Sequence, residues 1–129
     1  MAKTLKDLVA AARAQIVEIS IEELRQTQNA EADILLVDVR ETAEYAAGHI
    51  AGATSIPRGI LELSADREYP KRHEKLSNAR QQPVVVYCAS GGRSALAAAV
   101  LQQMGFESVQ SLAGGVGRWK ELRLDLAVP

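Results

Sequence analysis

The chain has 129 residues, 47% of them hydrophobic and 24% charged, which fits one folded domain with a substantial core and excludes a disordered chain. Fifteen Lys and Arg residues balance sixteen Asp and Glu residues, so there is no overall positive field to attract nucleic acid or an anionic membrane. The N-terminus does not resemble a secretory signal and no apolar run is long enough for a membrane span. We therefore expect a cytoplasmic protein with no nucleic-acid or membrane partner.

The first half of the chain alternates helical and strand-like segments. Apolar residues recur at helical spacing near the N-terminus, and Ser20 with Glu23 has the spacing of a capping box. A continuous apolar run ending at Val37 is typical of a strand covered on both faces. The predicted elements are a helix over 4–15, a strand over 16–20, a helix from Ser20 onward, a strand over 33–40, a helix over 41–47 that ends at Gly48, and a brief strand ending at Pro57.

The second half contains a polar segment followed by the clearest elements of the sequence. We predict a helical turn at 59–63 and interpret the polar residues up to 82, which Pro70 interrupts, as a solvated helix and loop rather than a charged binding face. The later predicted elements are a buried strand over 84–88, a helix over 94–104 that Gly105 ends, a strand over 106–112, and a Gly-rich turn leading into a short helix at 113–122. This alternation predicts an α/β domain with a mainly parallel sheet and helices on both faces.

The only cysteine lies in the sequence "YCASGGRS", at the end of a predicted buried strand. Ligands bind at the carboxyl ends of parallel strands, which is where Cys88 falls. Gly91 and Gly92 allow the backbone to turn its N–H groups inward, the following helix presents its N-terminus, and Arg93 adds a positive charge. These features lower the pKa of a thiol. We therefore favour a reactive or anion-binding cysteine over its alternative, a small buried hydrophobic residue.

Other cysteine chemistries lack their partners in this sequence. Without a second cysteine there is neither a disulfide nor a C-x-x-C redox pair. One Cys with His49 and His73 gives no metal-ligand spacing, so we expect no metal, and we interpret both histidines as structural or solvated. A phosphate-binding loop would need a G-K-[ST] sequence, which is absent.

Two separated motifs resemble those of the rhodanese family of sulfurtransferases. The first, "LLVDVRETAEYAAGHIAGATSIP", is similar to a D-V-R…G-H-I-x-G-A-x-x-I-P signature, and the second joins "VVVYCASGGRSALAAAVLQQMGF" to "LAGGVGRW". The resemblance spans about 16–122. It implies a three-layer rhodanese domain over 16–129, preceded by an N-terminal helical extension over 1–15.

The same resemblance implies a mechanism and a set of site residues. Cys88 would attack the outer sulfur of a donor and hold it as a persulfide, then pass it to cyanide, a thiol or a sulfur-accepting protein, with no cofactor. It implies structural roles for Asp38, Arg40, Glu44 and His49, which would hold loops near the site together, and for Trp119 in anchoring the last helix. The residues expected to bind substrate or persulfide are Ala89, Ser90, Gly91, Gly92, Arg93, Ser94 and Arg58.

The length of the cysteine loop distinguishes a sulfurtransferase from a cysteine-based phosphatase. Rhodanese-related and cysteine-based phosphatases carry Arg six positions after Cys, whereas Arg93 is five positions after Cys88, which favours sulfur over phosphate. A phosphatase or arsenate reductase is therefore the weaker enzymatic alternative. A non-catalytic partner-binding module is the other alternative, and such modules commonly lack the cysteine that this chain retains.

The sulfur donor is less well defined by the sequence. Thiosulfate-using relatives often carry basic residues after the cysteine, where this chain has Ala89 and Ser90. The sequence "CASG" is closer to the C-G-S-G of relatives that use 3-mercaptopyruvate, yet many small single-domain relatives with neutral loops are assigned to thiosulfate. We therefore expect thiosulfate as the donor, with 3-mercaptopyruvate as the alternative. Positive charge would then come from Arg93, or from Arg58, which we expect near the pocket because it follows the strand ending at Pro57.

Overall fold

The computed structural model describes residues 1–129 as a single parallel β-sheet with helices on both of its faces. This confirms the predicted α/β class. None of the helices combines the length and the hydrophobicity that crossing a membrane would require. The elements are α1 Leu5–Arg13, β1 Val17–Ile19, α2 Ile21–Asn29, β2 Leu35–Asp38, α3 Thr42–Ala47, β3 Thr54–Ser55, a 3₁₀ turn Arg58–Ile60, α4 Leu61–Ala65, α5 Glu74–Ser77, β4 Val84–Tyr87, α6 Gly92–Gln103, β5 Val109–Leu112 and α7 Gly115–Glu121.

The strand order places β4 in the middle of the sheet. All neighbours pair in parallel, in the order β1-β5-β4-β2-β3. The chain adds β3 on one side of β2, and then returns to add β4 and β5 on the other side. The order therefore reverses between β2 and β4, and a crevice at the carboxyl ends of such strands is where open α/β sheets bind ligands. Asp38 ends β2 and Cys88 directly follows β4, so both lie at this position.

The central strands divide their side chains between two hydrophobic clusters, one on each face of the sheet. On β4, Val84 and Val86 join the cluster beneath α4, α5 and α6, whereas Val85 and Tyr87 join the one beneath α2 and α7. All four are at most 2% exposed. This explains the unbroken apolar run, because a parallel strand covered on both faces has no polar side.

Local capping interactions fix the starts of the first two helices. The predicted capping box is present at α2, where the Ser20 hydroxyl accepts from the Glu23 N–H and the Glu23 carboxylate accepts from the Ser20 N–H. Thr4 and Asp7 form the same arrangement at α1. Each arrangement satisfies N–H groups that the first turn of a helix leaves without partners.

Two segments differ from the sequence-based expectation. The polar segment before β4 is not only solvated, because Leu61, Leu76 and Ala79 are buried in the core. The last strand is shorter than predicted and begins at Val109. Phe106 instead follows a turn and packs into the core, with the Arg80 guanidinium 4.7 Å from its ring centre. In both segments sparse apolar residues reach the core from turns or from helices of four or five residues, which are too short for a periodic pattern to mark them.

Candidate active site

Cys88 lies at the base of a tight loop that joins the central strand β4 to α6. Gly91 precedes the helix with φ +109°, a left-handed conformation that glycine adopts without steric cost. The loop therefore turns sharply enough to bring N–H groups from both its own backbone and the first turn of α6 toward the cysteine sulfur. The predicted strand–loop–helix arrangement is present, with α6 beginning two residues earlier than expected, at Gly92.

The sulfur of Cys88 is surrounded by hydrogen-bond donors. The Gly91 N–H donates to Sγ at 3.1 Å and the Ser94 N–H at 3.4 Å, while the Ser94 Oγ lies 3.5 Å away. Burial raises the pKa of the Cys88 thiol, but the Ser94 hydroxyl and the N–H groups of Ser94, Gly91 and Ser90 outweigh it and leave the pKa below its ordinary value. The loop therefore stabilises a thiolate.

A second serine supports the hydroxyl that contacts the sulfur. Ser111, on β5, is fully buried, and its Oγ lies 2.8 Å from the Ser94 Oγ. The hydrogen bond to Ser94 is the only one that the Ser111 side chain makes. If Ser111 donates to Ser94, the proton of the Ser94 hydroxyl is free to point at Sγ. Sequence analysis missed Ser111, because nothing in a strand pattern shows which residue of the neighbouring strand it faces.

The start of α7 holds the loop from the opposite side. The Val116 N–H donates to the Cys88 carbonyl at 2.9 Å, and the Gly117 N–H donates to the Ala89 carbonyl at 2.8 Å. A Cβ on Gly115 would lie 2.3 Å from the Cys88 carbonyl oxygen. The Gly-rich turn predicted from the sequence is thus the place where two backbones meet, although the sequence did not indicate that its neighbour is the cysteine loop.

Arg93 forms an ion pair with the Glu44 carboxylate. Its two Nη atoms donate to the Glu44 carboxylate of α3 at 2.7 and 3.1 Å. This pairing lowers the pKa of Glu44 to about 2 and keeps the carboxylate charged. Arg93 thereby joins α6 to α3, and its predicted role in binding substrate stays a prediction.

Arg58 is paired with a neighbouring carboxylate and contributes no hydrogen bond to the cysteine sulfur. It forms an ion pair with Glu62 at 2.7 Å, and its buried Nε has no hydrogen-bond partner. The side chain lines a shallow groove between α1 and α6, together with Leu8 and Leu96. It makes no hydrogen bond to the cysteine loop, and its role in substrate binding stays a prediction.

Asp38 and Arg40 form a buried ion pair beside the loop. Arg40 Nη2 donates to the Asp38 carboxylate at 2.8 Å and to the Gly48 carbonyl at 2.7 Å. The Arg40 guanidinium also lies 5.9 Å from the centre of the Tyr87 ring, next to Cys88 in sequence. Burial raises the pKa of Tyr87, so the hydroxyl stays neutral and accepts from the Ile50 N–H. This network joins the ends of β2 and β4.

The remaining residues singled out from the sequence have structural surroundings. His49 stacks on the Tyr45 ring with 3.7 Å between ring centres, and His73 caps α5 by accepting from Leu76. Trp119 is buried, and its Nε1 donates to the Asp125 carbonyl. No cluster of three or more His, Cys, Asp or Glu side chains has an arrangement that could hold a metal ion.

Known proteins with similar sequences and folds agree with this arrangement. A family model described as a rhodanese-like domain matches residues 20–122. The chain is 37% identical over 112 residues to a sulfurtransferase of Allochromatium vinosum, which covers 87% of this chain and 95% of that protein. It is 36% identical over 88 residues to the thiosulfate sulfurtransferase GlpE of Coxiella burnetii, covering 68% and 73% of the two chains. The chain therefore belongs to the rhodanese family.

A solved structure extends the similarity to almost the whole chain. A Rhodopseudomonas palustris protein, described as of unknown function and a possible tyrosine phosphatase, matches with a TM-score of 0.90 at 29% identity. The match covers 98% of this chain and 96% of that one. The human single-domain sulfurtransferase TSTD1 also matches, with a TM-score of 0.71 at 29% identity over 81% of this chain and 95% of that one, so sequence and structure agree on a rhodanese-like fold.

Proposed function

We propose that this protein is a sulfurtransferase that carries sulfur as a persulfide on Cys88. The observation that supports this most directly is the ring of polar groups around Sγ, which suits an anionic sulfur atom. Two backbone N–H groups donate to the sulfur, and the Ser94 hydroxyl, which accepts from the thiol, can donate to it once it is a thiolate. The names of the related sulfurtransferases support the same reaction class. A free thiol of this kind is kept reduced in the cytoplasm, which is the compartment we propose.

In the first step the Cys88 thiolate attacks the outer sulfur of a sulfane donor. With thiosulfate, a bond forms between Sγ and the outer sulfur while the bond between the two thiosulfate sulfurs breaks. Sulfite leaves with the bonding electron pair. One thiolate and one thiosulfate dianion become one persulfide anion and one sulfite dianion, so atoms and charge balance without a redox cofactor. The N–H groups of the loop hold the terminal sulfur's negative charge.

In the second step an acceptor removes the outer sulfur. Cyanide attacks it, the sulfur–sulfur bond breaks toward Sγ, and thiocyanate leaves as the Cys88 thiolate is restored. A thiolate on a small molecule or on a sulfur-accepting protein reacts in the same way and becomes a persulfide itself. The transfer is thereby divided into two displacements at sulfur, each with a good leaving group. We propose thiosulfate as the donor class, with 3-mercaptopyruvate as the alternative.

The arrangement of Arg93 supports sulfur transfer over phosphate hydrolysis. A cysteine phosphatase needs an arginine to bind the oxygens of the phosphoryl group, usually through two parallel hydrogen bonds. Arg93 instead directs both Nη atoms to Glu44. The six-residue loop from Cys88 to Arg93 also encloses less space than the longer loop of the phosphatases.

Mass spectrometry of the intact protein tests the proposal. Incubation with thiosulfate should add the mass of one sulfur atom, and subsequent cyanide should remove it and release thiocyanate. Cys88→Ser replaces only the sulfur by oxygen and should form no adduct. Its thermal unfolding curve should show that the variant is still folded. Because Cys88 is the only cysteine, any adduct is assigned without ambiguity.

Two results would contradict the proposal. One is the absence of an adduct with thiosulfate, 3-mercaptopyruvate and polysulfide alike. The other is turnover of an aryl phosphate that depends on Cys88, which would support the phosphatase alternative. The partner-binding module would be supported if the protein takes up no sulfur but binds another protein, and if the wild type and Cys88→Ser bind that protein equally well.

A further inference from the structure

The cysteine loop contains no free positive charge of its own. Ala89 and Ser90 are neutral, and Arg93, the only basic residue of the loop, is paired with Glu44 through two hydrogen bonds. Thiosulfate is a dianion and mercaptopyruvate carries a carboxylate, so a donor of either class gains from a cation at the edge of the pocket. The residue that supplies this cation must come from outside the loop.

The N-terminal helix α1 lies against the same loop. It packs along α6, and its Val9 side chain faces Gly92, where a Cβ would lie 3.7 Å from Cγ2 of that valine. A Cβ on Gly91 would lie 3.1 Å from Nη2 of Arg13. Since the Gly91 N–H donates directly to the cysteine sulfur, the Arg13 guanidinium stands next to a residue of the sulfur's own hydrogen-bond shell.

Arg13 is available to bind a ligand. Its Nε is 3.9 Å from the Glu18 carboxylate, and both side chains are about 40% exposed, at 44% and 39%. An ion pair this long and this exposed is weak. The guanidinium makes no hydrogen bond within the protein, whereas those of Arg93 and Arg58 hold carboxylates at 2.7 Å. Nη2, which faces the loop, therefore has unused donor capacity.

The position of Arg13 is fixed by the helix that carries it. Ala12 is buried, and the capping box of Thr4 and Asp7 stabilises the start of α1. Arg13 is the last residue of the helix, where a positive charge is favourable beside the negative end of the helix dipole. The family match begins at residue 20, so this helix is an addition to the part of the chain that the family defines.

We propose that Arg13 of the N-terminal helix recognises the anionic group of the sulfur donor at the edge of the Cys88 loop. This inference rests on the proposed sulfur transfer for the identity of the ligand, but the anion preference at Cys88 exists whether or not sulfur is transferred. It assigns to residues 1–15 a role in donor selection, and it supplies the charge that the loop sequence lacks.

The test compares an anionic with a neutral reagent at Cys88 in the full chain. Iodoacetate and iodoacetamide have nearly the same shape and alkylate the same thiolate, but only iodoacetate is charged. The variants are Arg13→Gln, Arg13→Lys and, as a matched control, Arg25→Gln, which removes an exposed arginine of α2 that makes no ion pair or hydrogen bond. The rate of persulfide formation from thiosulfate is measured on the same four proteins.

In Arg13→Gln the rate ratio of iodoacetate to iodoacetamide and the rate with thiosulfate should both fall, by about three- to tenfold at low salt. The iodoacetamide rate should stay near that of the wild type. Arg13→Lys, which keeps the charge, should lie closer to the wild type than Arg13→Gln does. Arg25→Gln should match the wild type in all three rates. Salt should reduce the wild-type preference toward the value of the Gln variant.

An Arg13→Gln protein with an unchanged ratio and an unchanged thiosulfate rate would overturn the inference. Equal losses with iodoacetate and iodoacetamide would overturn it too, because Arg13 would then act on the thiol rather than on the ligand's charge. The wild type could form no persulfide while the rate ratio of iodoacetate to iodoacetamide still falls in Arg13→Gln. This result would refute the proposed sulfur transfer and support anion recognition by Arg13.

Discussion

At the scale of single residues, the reactivity of Cys88 depends on two opposing influences. The side chain is 1% exposed, and removing a thiolate from water costs free energy. Hydrogen bonds from the loop and from Ser94 offset this cost, so the pKa of the thiol falls below its ordinary value. The thiolate consequently persists to a lower pH than that of an ordinary cysteine, and its population decreases as the pH falls through the pKa of the folded protein.

Substitution of Ser111 tests whether a residue outside the loop contributes to the pKa of the Cys88 thiol. Ser111→Ala should raise the pKa of Cys88, because the Ser94 hydroxyl loses the neighbour that orients it toward the sulfur. The rate of iodoacetamide alkylation as a function of pH reports this value directly. At a pH below the wild-type midpoint, Ser111→Ala should react more slowly, whereas well above both midpoints the two rates should converge.

A second buried serine provides the control for Ser111. Ser64, on α4, is 4% exposed and lies outside the hydrogen-bond shell of the sulfur, so Ser64→Ala should leave the alkylation profile unchanged. A Ser111→Ala profile identical to that of the wild type would show that Ser94 orients itself without help. A raised pKa in Ser111→Ala would instead fit a Ser94 hydroxyl that turns away from the sulfur and donates to the Gly91 carbonyl, which lies 3.3 Å away.

At the scale of elements, the start of α7 acts as a brace for the cysteine loop. Gly115 has φ +52° and no room for a side chain, since a Cβ would meet the carbonyl oxygens of Cys88 and Ala89 at 2.3 and 2.9 Å. Gly115→Ala must therefore move α7 away from the loop or distort both. Core contacts of Trp119 hold the rest of α7 in place, so the strain falls on the loop.

Gly115→Ala should lower the free energy of unfolding by about 2 kcal/mol or more and slow persulfide formation in the molecules that remain folded. Gly59→Ala is the matched control, because Gly59 has no positive φ and a Cβ there would meet nothing within 4 Å. Urea unfolding gives the stability, and the rate of sulfur uptake from thiosulfate gives the function. Equal behaviour of the two variants would show that the loop does not depend on α7.

At the scale of the whole molecule, local patterns in the sequence predict the helices and strands but not which of them contact each other. Helical spacing, the Ser20–Glu23 capping box and the apolar strand runs each depend on neighbours within a few residues, and the structure confirms them. Cys88, at the end of β4, could be located because strand ends in parallel sheets are where sites form. The parallel sheet follows in the same way from the alternation of helices and strands.

Contacts between segments that are far apart in the sequence have no local pattern that predicts them. The pairing of Arg93 with Glu44, the approach of Gly115 to Cys88 and that of Arg13 to Gly91 each join positions that lie 27 or more residues apart in the sequence. An exposed arginine at the end of an amphipathic helix has the same sequence pattern whether it faces water or the cysteine loop. The sequence predicts a donor-binding charge at Arg93 and Arg58, and both form ion pairs with carboxylates in the structure, so their roles in donor binding stay predictions.

A buried ion pair, Asp38 with Arg40, lies at the carboxyl end of β2, where the strand order reverses. Asp38 is fully buried and Arg40 is 5% exposed. Asp38→Asn leaves the guanidinium buried without its counter-charge, so the free energy of unfolding should fall by about 3 kcal/mol or more. Urea unfolding measures the loss. Persulfide formation per folded molecule should stay close to that of the wild type, because neither side chain bonds to the sulfur.

An exposed ion pair of nearly the same length gives the comparison. Arg58 and Glu62 are 2.7 Å apart, against 2.8 Å for Arg40 and Asp38, but their side chains are 29% and 49% exposed. Glu62→Gln should therefore cost less than about 1 kcal/mol, since water screens the pair and solvates whichever charge remains. Equal losses in Asp38→Asn and Glu62→Gln would contradict the view that burial, rather than distance, makes the Asp38–Arg40 pair hold the crevice together.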